Sequence, residues 1–262
     1  MIYVTGDIHA DTRDLYSRLE GIDLKSDDKI IICGDVGIKY GGRISRDLLW
    51  VMSQEYPCND FIIMRGNHDD RYIRDMHLNI GDSTDLNQPK EHILKTEDNL
   101  WYNERYPNVY YVSDTGGLYH IENVDILFIP GAFSVDGGYR RAYHLPYEYQ
   151  ELLTKSEMNE LYGLVQDYLA VKSARPLFVV SHTCPLTWEK YFRDLFFDGI
   201  NQSEVDKSME IWMNKVLNLL KGYENFCGWY FGHFHDDRDI PNSFGHMLFH
   251  NVVPIELASS GE

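Results

Sequence analysis

Basic residues are scarce in this chain. Its 262 residues include 24 Lys and Arg against 41 Asp and Glu, a formal net charge of −17 with a pI near 5.0. Gripping duplex nucleic acid requires an excess of phosphate-neutralising Lys and Arg, so this shortage argues against duplex nucleic acid as a partner. Long apolar runs are also missing. None approaches the ~20 residues needed to cross a bilayer, and the opening MIYVTGDIHA has neither the basic n-region nor the apolar h-region of a signal peptide. Cysteine is sparse: Cys33, Cys58, Cys184 and Cys227 show no CxxC spacing and lie in or beside apolar stretches, as small buried hydrophobes in a reducing compartment do. No repeat, low-complexity segment or Pro/Gly/Ser-rich linker divides the chain. These absences predict a cytoplasmic protein with no membrane segment, folded as a single domain over residues 1–262.

Apolar material is sufficient for a sizeable core, at 44% hydrophobic and 14% aromatic residues. Short β-branched or aromatic runs predict strands at Ile2–Val4, Lys29–Cys33, Phe61–Met64, Val124–Ile129, Leu177–Val180, Trp229–Phe231 and Met247–Phe249. Amphipathic stretches predict helices over Asp11–Gly21, Ser45–Glu55, Ser156–Lys172 and Ser203–Gly222. Strands and helices alternate early, which indicates the α/β class. In the middle, Asn108–Val112, Leu118–Ile121 and Val124–Ile129 are separated by turn residues and predict antiparallel hairpins. The end repeats this style, with Val252–Leu257 as a last strand, so the sheet is expected to be mixed.

Five apolar runs end in Gly or Ser followed at once by a metal-competent side chain: Thr5-Gly6-Asp7, Cys33-Gly34-Asp35, Arg65-Gly66-Asn67, Val180-Ser181-His182 and Phe231-Gly232-His233. Several strands thus deliver Asp, Asn and His to one sheet edge, where open α/β folds place their ligands. Asp7 and His9, and likewise His233 and His235, are two residues apart and share one side of an extended segment. The set Asp7, His9, Asp35, Asn67, His182, His233 and His235 offers nitrogen and oxygen donors and no thiolate. Such donors suit Mn, Fe, Zn, Ni or Co. They are too many for one tetrahedral ion, and fit two ions sharing a carboxylate with positions left for water and substrate.

In order, GDIH (Gly6–His9), GD (Gly34-Asp35), GNHD (Gly66–Asp69), SH (Ser181-His182) and GHFH (Gly232–His235) resemble the calcineurin-like metallophosphoesterase superfamily. The resemblance spans positions 6 to 235. It implies a four-layer α/β/β/α sandwich of two mixed β-sheets flanked by helices. It also implies two divalent ions, Mn foremost, one held by Asp7, His9, Asp35 and His235 and the other by Asp35, Asn67, His182 and His233, with Asp35 as the bridge. Two such ions acidify a bridging water and clamp phosphoryl oxygens, so that hydroxide attacks phosphorus in line. Similar enzymes use the His of GNH, here His68, to stabilise charge on the transferring group or to protonate the leaving oxygen. Where relatives that dephosphorylate proteins carry an orienting Asp and then an Arg, this chain has Ile38 and Lys39, which weakens a protein phosphatase reading.

The segment Gly131-Ala132-Phe133-Ser134-Val135-Asp136, followed by Arg140 and Arg141, is similar to a stretch in some small bacterial and phage members. Either arginine offers bidentate contacts to a substrate phosphate. The expected activity is phosphomonoester hydrolysis on a phosphorylated small molecule; the alternatives are a phosphodiesterase acting on a small or cyclic nucleotide diester, and a non-catalytic metal-binding scaffold. His77, His92, His120, His144, His246 and His250 end no strand-like run with the Gly or Ser signature and are read as structural. Asp11, Asp70, Asp236 and Asp237 are read as loop, cap or outer-sphere residues. Cys184 and the aromatic cluster from Trp101 to Tyr111 are read as packing.

Overall fold

The computed structural model describes residues 1–37, 46–69, 71, 93–134, 150–195 and 205–255. Among them, strands β1 (Ile2–Thr5), β2 (Lys29–Ile32), β3 (Asp60–Ile63), β4 (Ile93–Lys95), β5 (Trp101–Asn103), β6 (Tyr106–Tyr111), β7 (Gly117–Ile121), β8 (Val124–Ile129), β9 (Leu177–Ser181), β10 (Phe226–Phe231), β11 (Arg238–Asp239), β12 (Gly245–Met247) and β13 (Val252–Pro254) form two mixed sheets. The first has seven strands in the order β13-β1-β2-β3-β6-β5-β4, the second six in the order β11-β12-β10-β9-β8-β7. Helices α1 (Thr12–Glu20), α2 (Arg46–Trp50), α3 (Lys155–Val171) and α4 (Ser208–Leu220) flank them.

The period of two along each central strand creates the layers. In β2, Ile30 and Ile32 pack with Leu15 and Leu19 of α1 and Leu48 and Leu49 of α2. Ile31 and Cys33 point the other way, into a core shared with Ile126, Phe128, Phe178, Val180 and Tyr230 of the second sheet. That sheet's outer face presents Leu127, Val179, Trp229 and Phe231 to Leu161 and Val165 of α3 and to Met213, Val216 and Leu220 of α4. Helices, sheet, sheet and helices therefore stack in the expected four layers. The near-continuous apolar character of β8, β9 and β10 follows from burial on both faces.

Three expectations are corrected. The run near Asn108 does not pair with Leu118–Ile121: β6 lies in the first sheet, parallel to β3 and antiparallel to β5, whereas β7 and β8 form an antiparallel hairpin in the second. Alternation defines a buried face, but not which sheet supplies it. At the end, β10 and β12 pair in parallel and β13 crosses to pair antiparallel with β1. Within Ser45–Glu55, α2 gives way to a π-helical stretch at Val51–Glu55. There the Asn108 amide donates to the carbonyls of Met52 at 3.0 Å, Tyr56 at 3.0 Å and Asn59 at 2.8 Å, drawing the chain out of regular helical bonding.

The caps follow from local chemistry. The Asp11 carboxylate accepts from the backbone of Arg13 and Asp14 at the start of α1, and Thr154 and Glu157 form a reciprocal capping box at the start of α3. Glu157 also takes the guanidinium of Arg71, with Nη2 to Oε2 at 3.1 Å. Burial would raise its carboxyl, but Arg71 and the Thr154 backbone outweigh this and hold it down at about 2, against an ordinary 4.5. A depressed acid stabilises the fold above its unfolded value, and that contribution disappears as pH falls through the folded value. The melting temperature gap between the wild type and Glu157→Gln is therefore expected to be full above pH 4.5 and to close towards pH 2. Thermal melts across that range check it; a gap independent of pH would show that charge is not the cause.

Candidate metal centre

β1, β2 and β3 run parallel, as do β8, β9 and β10, and the turns after β1, β2, β3, β9 and β10 meet at one edge of the two sheets. Backbone bonds stitch them together. His9 N donates to Asp35 O at 2.8 Å, Ala10 N to Val36 O at 2.8 Å and Gly232 N to His182 O at 3.1 Å. Across the sheets, His233 N donates to Asp7 Oδ1 at 3.0 Å, and within the first sheet His68 N donates to Asp35 Oδ1 at 2.8 Å. One oxygen of each buried carboxylate is thus fixed by a backbone amide, which aims the other inward.

All seven candidate ligands come together there. Asp7, His9 and His235 form one group and Asp7, Asp35 and His182 another, each with donor atoms within 4.8 Å of one another. Asp7 is the carboxylate common to both groups, while Asp35 Oδ2 lies 3.5 Å from His182 Nε2. Asn67 Oδ1 is 2.8 Å from His182 Nε2, and the His233 ring meets that of His182 edge-on at 5.0 Å. On the open side His9 Nε2 and His235 Nε2 are 2.9 Å apart. His68 sits beside them, its ring 5.9 Å from that of His9 and its Nε2 4.0 Å from Asp35 Oδ2.

This arrangement fits a cation. Asp7 Oδ2 is buried without a hydrogen bond, although His235 Nε2 stands 3.2 Å away and His9 Nε2 3.8 Å away. A bare carboxylate oxygen so placed is costly unless a positive charge approaches it. His9, Asp35, His233 and His235 all have left-handed backbones, with φ of 49°, 46°, 72° and 54°. Such conformations cost about 1 kcal/mol or more each and concentrate where function requires them. The glycines allow the close approach: a Cβ on Gly66 would lie 2.0 Å from Asp35 Oδ1, and one on Gly232 2.2 Å from Asp7 Oδ1.

Electrostatics separates the imidazoles. Burial pulls His182 down, but the carboxylates of Asp35 and Asp7 reverse this and push it up to about 9. Burial, aided by the charge of His182, pushes His233 well below its ordinary value. His9 is lowered too, chiefly by burial. Asp35 is held well below the carboxylate range, since His182, then His68 and His9, overcome the effect of burial.

Several supports escaped sequence reasoning. Arg18, buried on α1, donates to Thr5 Oγ1 at 3.0 Å and to the Asp7 carbonyl at 2.6 Å and also bonds Asp14; its signal was a charge on the apolar face beside Leu15 and Leu19. The guanidinium lies 5.5 Å from the Phe249 ring, which stacks on His235 at 4.7 Å. Asp69 accepts from Val36 N at 3.1 Å, Gly37 N at 2.8 Å and Gly66 N at 2.9 Å, locking the turns after β2 and β3 together; burial, then the charge of Asp35, push it up to about 6.

Other readings can be placed. Asp237 accepts from the backbone of Phe249, His250 and Asn251. Asp236 pairs with Arg238 at 2.7 Å. His120, His246 and His250 pair with Asp125, Asp239 and Asp14. Cys184 is fully buried. Arg140, Arg141, Ile38, Lys39, Asp70, His77, His92 and His144 lie outside the described residues.

Comparison with known proteins sets this geometry in context. A search of curated proteins found no match. A solved structure of a putative 5′-nucleotidase from Staphylococcus aureus in complex with alpha-ketoglutarate aligns with a TM-score of 0.38 at 13% identity, over 95% of this chain and 48% of that one. This chain therefore spans about half the length of that protein. The calcineurin-like phosphoesterase YfkN from Bacillus subtilis aligns with a TM-score of 0.36 at 11% identity, over 94% of this chain and 80% of that one. The calcineurin-like phosphoesterase family model matches residues 1–237, a span that contains every strand-end turn of the site. The chain belongs to the calcineurin-like phosphoesterase family, a family of metal-dependent phosphoester hydrolases.

Proposed function

We propose that this chain is a dimetal phosphomonoesterase acting on a phosphorylated small molecule. The observation that carries the reading is the convergence of nitrogen and oxygen donors from four strand ends around a buried Asp7 oxygen that makes no hydrogen bond, with Asn67 from a fifth strand end against His182. Asp7, His9 and His235 would hold one ion, and Asn67, His182 and His233 the other, with Asp35 shared. When bound, two divalent ions supply charge stabilisation for phosphoryl oxygens and acidify a water between them. Manganese is the ion we favour, since the set is hard to borderline and free of thiolate.

The remaining work falls to the chain's own groups. His68 stands on the open side of the cluster, 4.0 Å from Asp35 Oδ2, with its backbone tied to Asp35. We assign it the protonation of the leaving-group oxygen, the general-acid role an imidazole within reach of the reacting group can play. Tight turns and left-handed backbones fix the donors in place, so little reorganisation accompanies the reaction. The net charge of −17 favours small substrates over polyanions. The scattered cysteines support a cytoplasmic enzyme. Among the described residues no helix is long and apolar enough to cross a membrane.

The test is turnover of p-nitrophenyl phosphate and bis-p-nitrophenyl phosphate by metal-stripped protein, with Mn, Ni, Zn or Mg added back. Metal-restored hydrolysis with a higher kcat/KM on the monoester is expected. Preference for the bis ester would replace the reading by a phosphodiesterase, and metal uptake without hydrolysis of either ester would favour the non-catalytic metal-binding scaffold.

A further inference from the structure

We propose that Ser134 is the positioning residue that keeps the Asn67 amide oxygen turned towards the second metal position; this rests on the dimetal reading above. Ser134 is 3% exposed and belongs to the Gly131–Asp136 segment singled out in the sequence. Its Oγ accepts from Asn67 Nδ2 at 2.8 Å, and the other end of that amide, Oδ1, is 2.8 Å from His182 Nε2. His182 Nδ1 lies 2.8 Å from the Cys33 carbonyl, which can only accept. Nδ1 therefore donates to that carbonyl, which leaves Nε2 as the ring nitrogen that would serve a metal.

Asn67 Oδ1 and His182 Nε2, in hydrogen-bonding contact with each other, are the two atoms of this pair that would turn to a shared cation. Turned over, the amide would instead donate from Nδ2 to His182 Nε2 whenever that nitrogen is free of its proton, and would withdraw its oxygen from the site. Ser134 makes the ligating orientation affordable, because it gives the buried Nδ2 an acceptor. Without that hydroxyl, the ligating orientation strands a buried N–H, while the turned-over amide still has His182 as a partner.

Ser134 is itself firmly held. Its backbone N donates to Glu151 Oε1 at 3.0 Å. Arg65, next to the Gly66-Asn67 turn, donates from Nη1 to the Glu151 carbonyl at 2.7 Å and from Nε to the Asp114 carbonyl at 3.0 Å, and its own carbonyl accepts from Gly131 N at 3.1 Å. The segment that carries Ser134 and the turn that carries Asn67 are thus tied together beneath the site.

The experiment is equilibrium dialysis of Mn(II) into the metal-stripped 262-residue chain, with low-temperature EPR and a thermal melt of each metal-free variant. Wild type is expected to take up two ions and to show an exchange-coupled spectrum. Ser134→Ala is expected to keep the first ion and to bind the second ~10–100-fold more weakly, the usual cost of losing an outer-sphere partner, with the six-line signal of an isolated ion. Asn67→Asp presents an oxygen in either orientation, so adding Ser134→Ala to it should change second-ion affinity by no more than about twofold, the limit of additivity. An equal loss in both backgrounds, or an unchanged second site in Ser134→Ala, would overturn the proposal. Ser134→Cys, similar in shape but a weak acceptor, serves the same comparison if the alanine variant does not fold. Wild type that binds fewer than two ions would instead defeat the dimetal reading itself.

Discussion

Asp35→Asn is expected to lower metal-restored kcat/KM by at least ~10³-fold, since several kcal/mol of charge stabilisation from the metal centre convert at 1.36 kcal/mol per tenfold. The side chain is 1% exposed and keeps its shape on substitution. Its Oδ1 still accepts from His68 N, at 2.8 Å in the wild type, so the turn after β3 keeps its anchor. What changes is Oδ2, which faces His182 Nε2 at 3.5 Å and His68 Nε2 at 4.0 Å. An amide there supplies no negative charge to share between two cations, and in one orientation it turns an N–H towards them. Kinetics on p-nitrophenyl phosphate with saturating Mn, alongside bound-metal stoichiometry and a melt of the metal-free protein, measure the effect. A folded variant that binds two ions and retains more than a tenth of wild-type activity would remove Asp35 from the centre.

Gly66→Ala tests the same carboxylate from outside. The added Cβ would meet Asp35 Oδ1 at 2.0 Å and the Asp35 backbone N at 2.4 Å, far inside van der Waals contact. Neither neighbour is the loose end of a flexible chain. Asp35 has a left-handed backbone, φ 46°, and accepts from Ile8 N and His9 N through its carbonyl. Relief therefore requires movement of the turns after β1, β2 and β3 together. We expect a loss of stability of about 1–3 kcal/mol, as for other overpacked interiors. Activity should fall by at least ~10²-fold, because displacing a reacting geometry by about 1 Å costs that much. Gly163→Ala is the control: a Cβ there meets nothing within 4 Å, and in the interior of α3 it should stabilise by ~0.5–1 kcal/mol. Chemical denaturation and turnover of both variants decide the matter. Wild-type activity in Gly66→Ala would mean that the turn has slack this geometry does not show.

Both expectations depend on a contrast between what is local and what is distant in the chain. The sequence alone determined the candidate donors, because a Gly or Ser ahead of Asp7, Asp35, Asn67, His182 and His233, at the end of an apolar run, is a short-range pattern with a short-range cause. A strand must stop, and a small residue lets the backbone turn closely. It likewise determined the caps of α1 and α3, where Asp11 and Thr154 act on the next few residues, and the alternation of Ile30, Ile31 and Ile32 between two faces.

Only the tertiary structure decided which distant segments share a neighbour. Alternation in Tyr106–Tyr111 reads the same whether the strand follows its sequence neighbours or joins β3, and packing beside Phe61 and Ile63 settles it. The supporting groups were hidden for the same reason. Arg18 grips the turn after β1 from one helix away, Asp69 joins the turns after β2 and β3, and Ser134 reaches Asn67 across 67 positions. Ligand identity follows from what a side chain can donate. Ligand orientation follows from a second side chain that only folding brings within hydrogen-bonding distance.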